Sequence, residues 1–303
     1  MRSFVVVVPV VAISLALLSG LLVLACSDAS TPRATTNPEG GDGGVVLEDG
    51  AVVDQDGAVV TDGTKPSKVN VTNESVTVMG QGRSFVLAVP KTYDAARKYP
   101  LIVALHGDGQ DGTSFRSFLT FDDVAGDDAI VAYPNNAEDL FTPYDQNPDQ
   151  QLVAATIDAV KAKFSIDDAK VWGFGYSKGG FIANEIACRK PGILKAMAIH
   201  AGGAPQEPQG GDGYPLCPGV IGLPVLETEG EFDTNIGGDY GANYWAKING
   251  CGTSRSATTP APCQLADGCP GGKPVMYCLA PGVRHYPIWG QAVNVSWGFF
   301  KGL

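Results

Sequence analysis

Basic residues are scarce in this chain: 21 Lys and Arg stand against 32 Asp and Glu, a formal net charge of −11. Nucleic acid and anionic membrane surfaces repel such a chain, so neither fits as its main partner. Histidine is scarcer still, three in 303 residues. No C-x2-C pair occurs and no histidine lies at ligand spacing from a cysteine, which argues against a structural zinc site. The acidic run Asp54-Gln55-Asp56-Gly57 lacks the later ligands and flanking helices of a calcium loop. No metal and no cofactor is therefore expected. Charged residues make up only 17% against 44% hydrophobic, a globular rather than a disordered composition.

Long apolar runs are confined to the N-terminus. Arg2 precedes Phe4 to Leu24, which is almost wholly apolar and, at about 21 residues, just long enough to span a bilayer. The run ends in Val23-Leu24-Ala25-Cys26, which resembles a bacterial lipobox: residues 1–26 then form a lipoprotein signal, with Cys26 lipidated as the mature N-terminus. A transmembrane anchor is the alternative, and either one exports the rest. Ser27, by resemblance to the usual sorting rule, points to the outer membrane, with the lipid as the sole membrane contact. Residues 27–68 are rich in Gly, Asp, Thr and Pro, and Asp49-Gly-Ala-Val-Val is echoed by Asp56-Gly-Ala-Val-Val; such a stretch reads as a flexible tether. Six cysteines follow Cys26: Cys188, Cys217, Cys251, Cys263, Cys269 and Cys278. An even number in an exported chain implies up to three disulfides, and the sequence does not choose their pairing.

From residue 69 to 303, strand and helix signals alternate. Val69–Val78 and Ser84–Val89 suggest an opening hairpin, and Leu101–Leu105 and Ala129–Tyr133 are short apolar runs of the kind a doubly covered strand requires. Asn147-Pro148-Asp149 opens a helix in which Leu152, Val153, Ile157, Val160 and Phe164 recur at helical spacing. Further strands are expected at 170–174, 196–199, 223–228 and 274–278. Helices are expected at 178–188, 239–249 and 291–300. This order predicts an α/β domain, a mostly parallel central sheet with helices on both faces.

Gly175-Tyr176-Ser177-Lys178-Gly179 fits G-x-S-x-G at a strand-to-helix junction, the context in which that pattern forms a nucleophile elbow of the α/β-hydrolase fold. Ser177 is the candidate nucleophile, and the Lys178 N–H at the helix start is a candidate oxyanion donor. A serine hydroxyl needs a base, and the chain order of this fold, Ser then acid then His, leaves only His285. The acid must lie between them. Asp233, just past the 223–228 strand, is the first choice, with Glu229 and Glu231 as fallbacks and Asp239 behind them. Leu105-His106-Gly107-Asp108 resembles the oxyanion loop of such hydrolases, which makes the Asp108 N–H the second donor, its carboxylate turned away, and His106 structural. His200 reads as a packed core histidine.

These residues resemble secreted esterases of the polyhydroxybutyrate depolymerase and feruloyl esterase type, in the first carbohydrate esterase family. The resemblance runs from about Val69 to Phe300. It rests on Tyr99-Pro-Leu-Ile-Val-Ala-Leu-His-Gly107, Val171-Trp-Gly-Phe-Gly-Tyr-Ser-Lys-Gly-Gly180, Trp245-Ala-Lys-Ile-Asn-Gly-Cys251 and the His285 loop. It implies a Ser177, Asp233 and His285 triad. Tyr176 and Lys178 depart from the small residues usual beside the nucleophile, Glu229 stands where a histidine is common, and Tyr286-Pro-Ile-Trp289 replaces the usual pattern after the base. Tyr176 and Trp289 are candidates to stack on an aromatic acyl group. The expectation is a secreted ester hydrolase acting through an acyl-enzyme on a feruloyl or acetyl ester or a polyhydroxyalkanoate-type substrate, possible polymers included. An acyltransferase or peptidase of the same fold, and a non-catalytic surface binding lipoprotein, are the alternatives.

Overall fold

The computed structural model describes residues 67–136, 142–234 and 238–303, together with the backbone of three short strands nearer the N-terminus. The signal segment and Cys26 lie outside the described residues. The chain divides into two units, Met1–Lys65 and Pro66–Leu303. In the first, β1 (Val45–Val46), β2 (Val52–Val53) and β3 (Val59–Val60) pair antiparallel in that order. Their seven-residue spacing reveals a third copy of the repeat, Asp42-Gly-Gly-Val-Val46, in which the alanine is a glycine. The three valine pairs fall within the Gly- and Asp-rich stretch 27–68. Among the described residues no helix is long and apolar enough to cross a membrane.

The second unit begins with the hairpin of β4 (Val69–Val78) and β5 (Gln81–Pro90). There follow β6 (Tyr99–Leu105), α1 (Gly112–Leu119), α2 (Phe121–Ala125), β7 (Ile130–Pro134), α3 (Pro148–Lys163), β8 (Ile166–Tyr176), α4 (Lys178–Arg189) and β9 (Ala196–His200). The chain closes with β10 (Val225–Gly230), α5 (Tyr240–Asn249), β11 (Arg255–Ala257), β12 (Cys263–Ala266), β13 (Val275–Ala280) and α6 (Ala292–Lys301). One sheet holds all ten strands, in the order β11-β12-β13-β10-β9-β8-β6-β7-β5-β4. The six from β13 to β7 run parallel, and an antiparallel hairpin extends each edge.

Side-chain alternation along β6 explains why its sequence is apolar throughout. Leu101, Val103 and Leu105 enter the core under α3, α4 and α5, while Ile102 and Ala104 enter the core under α1, α2 and α6. A strand covered on both faces has no polar side to display. α3 starts where the sequence placed it: the Asn147 side chain accepts hydrogen bonds from the Asp149 and Gln150 amides, and Pro148 occupies the first turn. α6 is anchored by Phe300, which stacks on Trp172 of β8 at 4.9 Å. The short elements α1, α2, β11 and β12 were not foreseen, because none is long enough to display a period.

All six cysteines pair, as Cys188–Cys217, Cys251–Cys269 and Cys263–Cys278. The last joins residues directly opposite one another on β12 and β13. Such bonds fit an oxidising compartment.

Candidate active site

The turn from β8 into α4 needs two glycines for close backbone approach. A Cβ on Gly175 would strike the backbone of Gly179 and Gly180, and one on Gly179 would overlap the carbonyl oxygens of Leu105 and His106. The start of α4 therefore sits in backbone contact with β8 and with the end of β6. Between them Ser177 is held at φ 52°, ψ −122°, a strained conformation for a residue with a side chain. Its N–H donates to the carbonyl of His200 on β9 at 2.8 Å, which ties the strained residue to the sheet.

At the ends of β10 and β13, two loops meet. The amides of Glu231 and Phe232 donate to the carbonyls of Ala280 and Val283, at 2.9 and 2.8 Å. Gly230 permits the approach, since a Cβ there would sit 2.5 Å from the Val283 oxygen. This pairing brings Asp233 and His285 together from positions 52 residues apart.

The result is a continuous chain of hydrogen bonds. Ser177 Oγ lies 2.9 Å from His285 Nε2, and His285 Nδ1 lies 2.7 Å from Asp233 Oδ2. The Asp233 side chain is fully buried and acts only as an acceptor when ionised, so the imidazole proton belongs on Nδ1. That leaves Nε2 free to accept the serine proton. Of the four acids that chain order left open, Asp233 is the one bonded to His285. Glu231 accepts from the Gly282 amide, Asp239 pairs with Arg255, and Glu229 is buried in β10, where burial pushes its carboxyl up to about 9.

Tyr176 lines a narrow cleft together with His285, Ile288 and Trp289. It is buried, and its hydroxyl donates to the backbone carbonyl of His285 at 2.5 Å. Its ring packs 5.8 Å from the imidazole, and burial pushes its phenol up to about 12. No local pattern signals this strut, because its two ends are 109 residues apart. Trp289 is half-buried; it shares the cleft that holds His285 and also lines a hollow of about 260 Å³ with Val283, Arg284, Tyr286, Pro287 and Ile288.

Lys178 Nζ pairs with Asp108 Oδ1 at 2.9 Å, so the side chains of the two expected oxyanion residues bridge the loop after β6 to the start of α4. This gives the Asp108 carboxylate a partner of its own. His106 is buried, and its Nδ1 bonds the Gly107 carbonyl at 2.8 Å. His200 is buried too. Ser296 Oγ donates to the Ala292 carbonyl and so must accept from His200 Nε2–H at 2.8 Å, which fixes the neutral tautomer. Burial drops its pKa to about 3. Among the described residues no group of His, Cys, Asp or Glu is arranged to hold a metal ion.

No protein-family model matches the chain. A protein of Aspergillus terreus named "Probable feruloyl esterase C" is 27% identical over 240 residues, covering 73% of this chain and 84% of the relative. Feruloyl esterase C of Emericella nidulans is 26% identical over 197 residues, covering 62% and 68%. Among solved structures, an acetyl xylan esterase from Aspergillus awamori superposes with a TM-score of 0.58 at 17% identity, over 77% of this chain and 100% of the other. A ferulic acid esterase of the first carbohydrate esterase family, from Anaeromyces mucronatus, gives 0.54 at 15% identity, over 79% and 91%. At such identities the superpositions establish the fold. The chain is an α/β-hydrolase that resembles the feruloyl esterases, and it is a carboxylic ester hydrolase.

Proposed function

We propose that the chain is an exported serine esterase whose triad is Ser177, His285 and Asp233, and that it cleaves esters of aromatic or acetic acid borne on a larger alcohol such as a polysaccharide. The observation that carries this reading is the hydrogen-bonded chain from Ser177 Oγ through His285 to Asp233, set on a strained elbow. Ser177 Oγ attacks the ester carbonyl while His285 Nε2 takes its proton. The oxyanion that forms is met by the Lys178 and Asp108 amides, with the positive end of α4 behind the first. The carbon–oxygen bond to the alcohol then breaks, the alcohol leaves with the proton from His285, and an acyl-serine remains. Water, deprotonated by His285, attacks that ester and releases the acid and the free serine. Trp289 and Tyr176 line the cleft that holds His285, and their rings suit a planar aryl acyl group. The three disulfides suit export, and Cys26 is the proposed point of lipid attachment.

Detergent-purified full chain is assayed on methyl ferulate and p-nitrophenyl acetate beside Ser177→Ala. The expected result is turnover that falls by more than about 10³-fold in the variant, as loss of a triad nucleophile entails. Turnover retained in Ser177→Ala overturns the triad, and a preference for acetate over ferulate overturns the aryl pocket.

A further inference from the structure

The loop that carries the base is tied at its two ends. At its root the Phe232 amide donates to the Val283 carbonyl at 2.8 Å, and at the approach to α6 the Ala292 amide donates to the Trp289 carbonyl at 2.8 Å. Among the described residues, no backbone-to-backbone hydrogen bond reaches positions 284–288 between those ties. His285 must still present Nε2 to Ser177 Oγ at 2.9 Å and Nδ1 to Asp233 Oδ2 at 2.7 Å. Its main chain is anchored from outside the loop, by the Tyr176 hydroxyl, which donates to the His285 carbonyl at 2.5 Å.

We propose that Tyr176 is a positioning residue: its hydroxyl holds the main chain of His285, and with it the imidazole, within hydrogen-bond reach of Ser177. This rests on the triad reading given above, and it assigns to the hydroxyl a role separate from any contact of the ring with substrate. Tyr176 ends β8 and pairs in register with His200 of β9, so its backbone belongs to the sheet. Its buried ring packs 5.8 Å from the imidazole, and it touches the loop after β6 so closely that a Cβ on Gly107 would come within 3.1 Å of it. A side chain already ordered by packing donates with little further loss of conformational entropy. Because Tyr176 also precedes the nucleophile, a closed circuit results: one peptide bond from Ser177 to Tyr176, the phenol bond to the His285 carbonyl, and Nε2 back to Ser177 Oγ. Burial keeps the phenol protonated, and therefore a donor, well beyond neutral pH.

The test compares the full chain with Tyr176→Phe, which keeps the ring and removes only the hydroxyl, on p-nitrophenyl acetate and methyl ferulate. Titration with a fluorophosphonate counts reactive sites, so that kcat is expressed per folded site and a partly misfolded preparation cannot imitate the effect. The expected result is a fall in kcat of about 10- to 30-fold on both esters with KM within about 3-fold, since a misplaced base serves neither acyl group. In parallel, NMR follows the His285 Nδ1 proton. It should give a sharp low-field resonance in the wild type and broaden through faster exchange with water in Tyr176→Phe. A kcat within about 2-fold of wild type on both esters overturns the proposal. So does a loss confined to KM on methyl ferulate, which would give the hydroxyl to the substrate instead. If the wild type turns over neither ester, the resonance decides. Broadening in Tyr176→Phe then sinks the esterase reading and leaves the positioning role standing, whereas an unchanged resonance overturns both.

Discussion

Gly230→Ala tests the proposition that this site is assembled by the meeting of two loops. A Cβ there would lie 2.5 Å from the Val283 oxygen and 3.1 Å from that of Arg284. To restore an ordinary contact of 3.4 Å, the loop after β13 must retreat by about 0.9 Å. His285 is carried on that loop and Asp233 on the one opposite, so the retreat is felt at the 2.7 Å bond between them. A displacement of about 1 Å in a catalytic constellation costs on the order of 100-fold, and overpacking of this kind costs roughly 1–3 kcal/mol of stability. Stopped-flow turnover of methyl ferulate should therefore show kcat down by about 30- to 100-fold with KM within about 3-fold. Thermal unfolding should show a midpoint only some 2–10 °C lower. A well-folded variant with kcat within 2-fold of wild type would refute the reasoning, since the loops would then tolerate separation without loss of the triad.

Asp233→Asn should retain the fold and lose about 10⁴-fold in kcat, because an amide facing His285 Nδ1 favours the wrong imidazole tautomer; steady-state kinetics and circular dichroism check both halves. Replacing Cys188 and Cys217 together by serine opens a link of sequence separation 29, and the chain-entropy estimate for such a loop is about 3.5 kcal/mol. Urea unfolding should show that loss, and an unchanged midpoint would discount the bond. His200 is held neutral, its pKa lowered from 6.5 to about 3, so the unfolded chain binds a proton there that the folded chain refuses. Its contribution is complete above pH 6.5 and is lost as the pH falls toward 3. Relative to wild type, His200→Gln should gain about 2 kcal/mol between pH 7 and pH 5, read from paired urea midpoints; a constant difference would show that His200 titrates in the fold.

The sequence by itself determined the elements that carry a period or a punctuation mark. β6 and β7 were legible as apolar runs, α3 as a capped and periodic helix, and the elbow as a glycine-flanked serine between strand and helix. Chain order and a supply of only three histidines isolated His285, because so few residues competed for the role. The sequence also showed that the cysteines were paired in number, though not with whom. What tertiary structure alone decided were relations between distant segments. The sheet order sets β10 beside β13, and only that adjacency selects Asp233 from four acids and brings it to His285. The strut from Tyr176 to the His285 carbonyl and the Lys178–Asp108 bridge arise in the same way. Local pattern records what each residue contributes to its own strand or helix, since those forces act within a few residues. Whether a buried carboxyl meets an amide, an imidazole or another carboxyl depends on which strands lie side by side, and no window of sequence contains that.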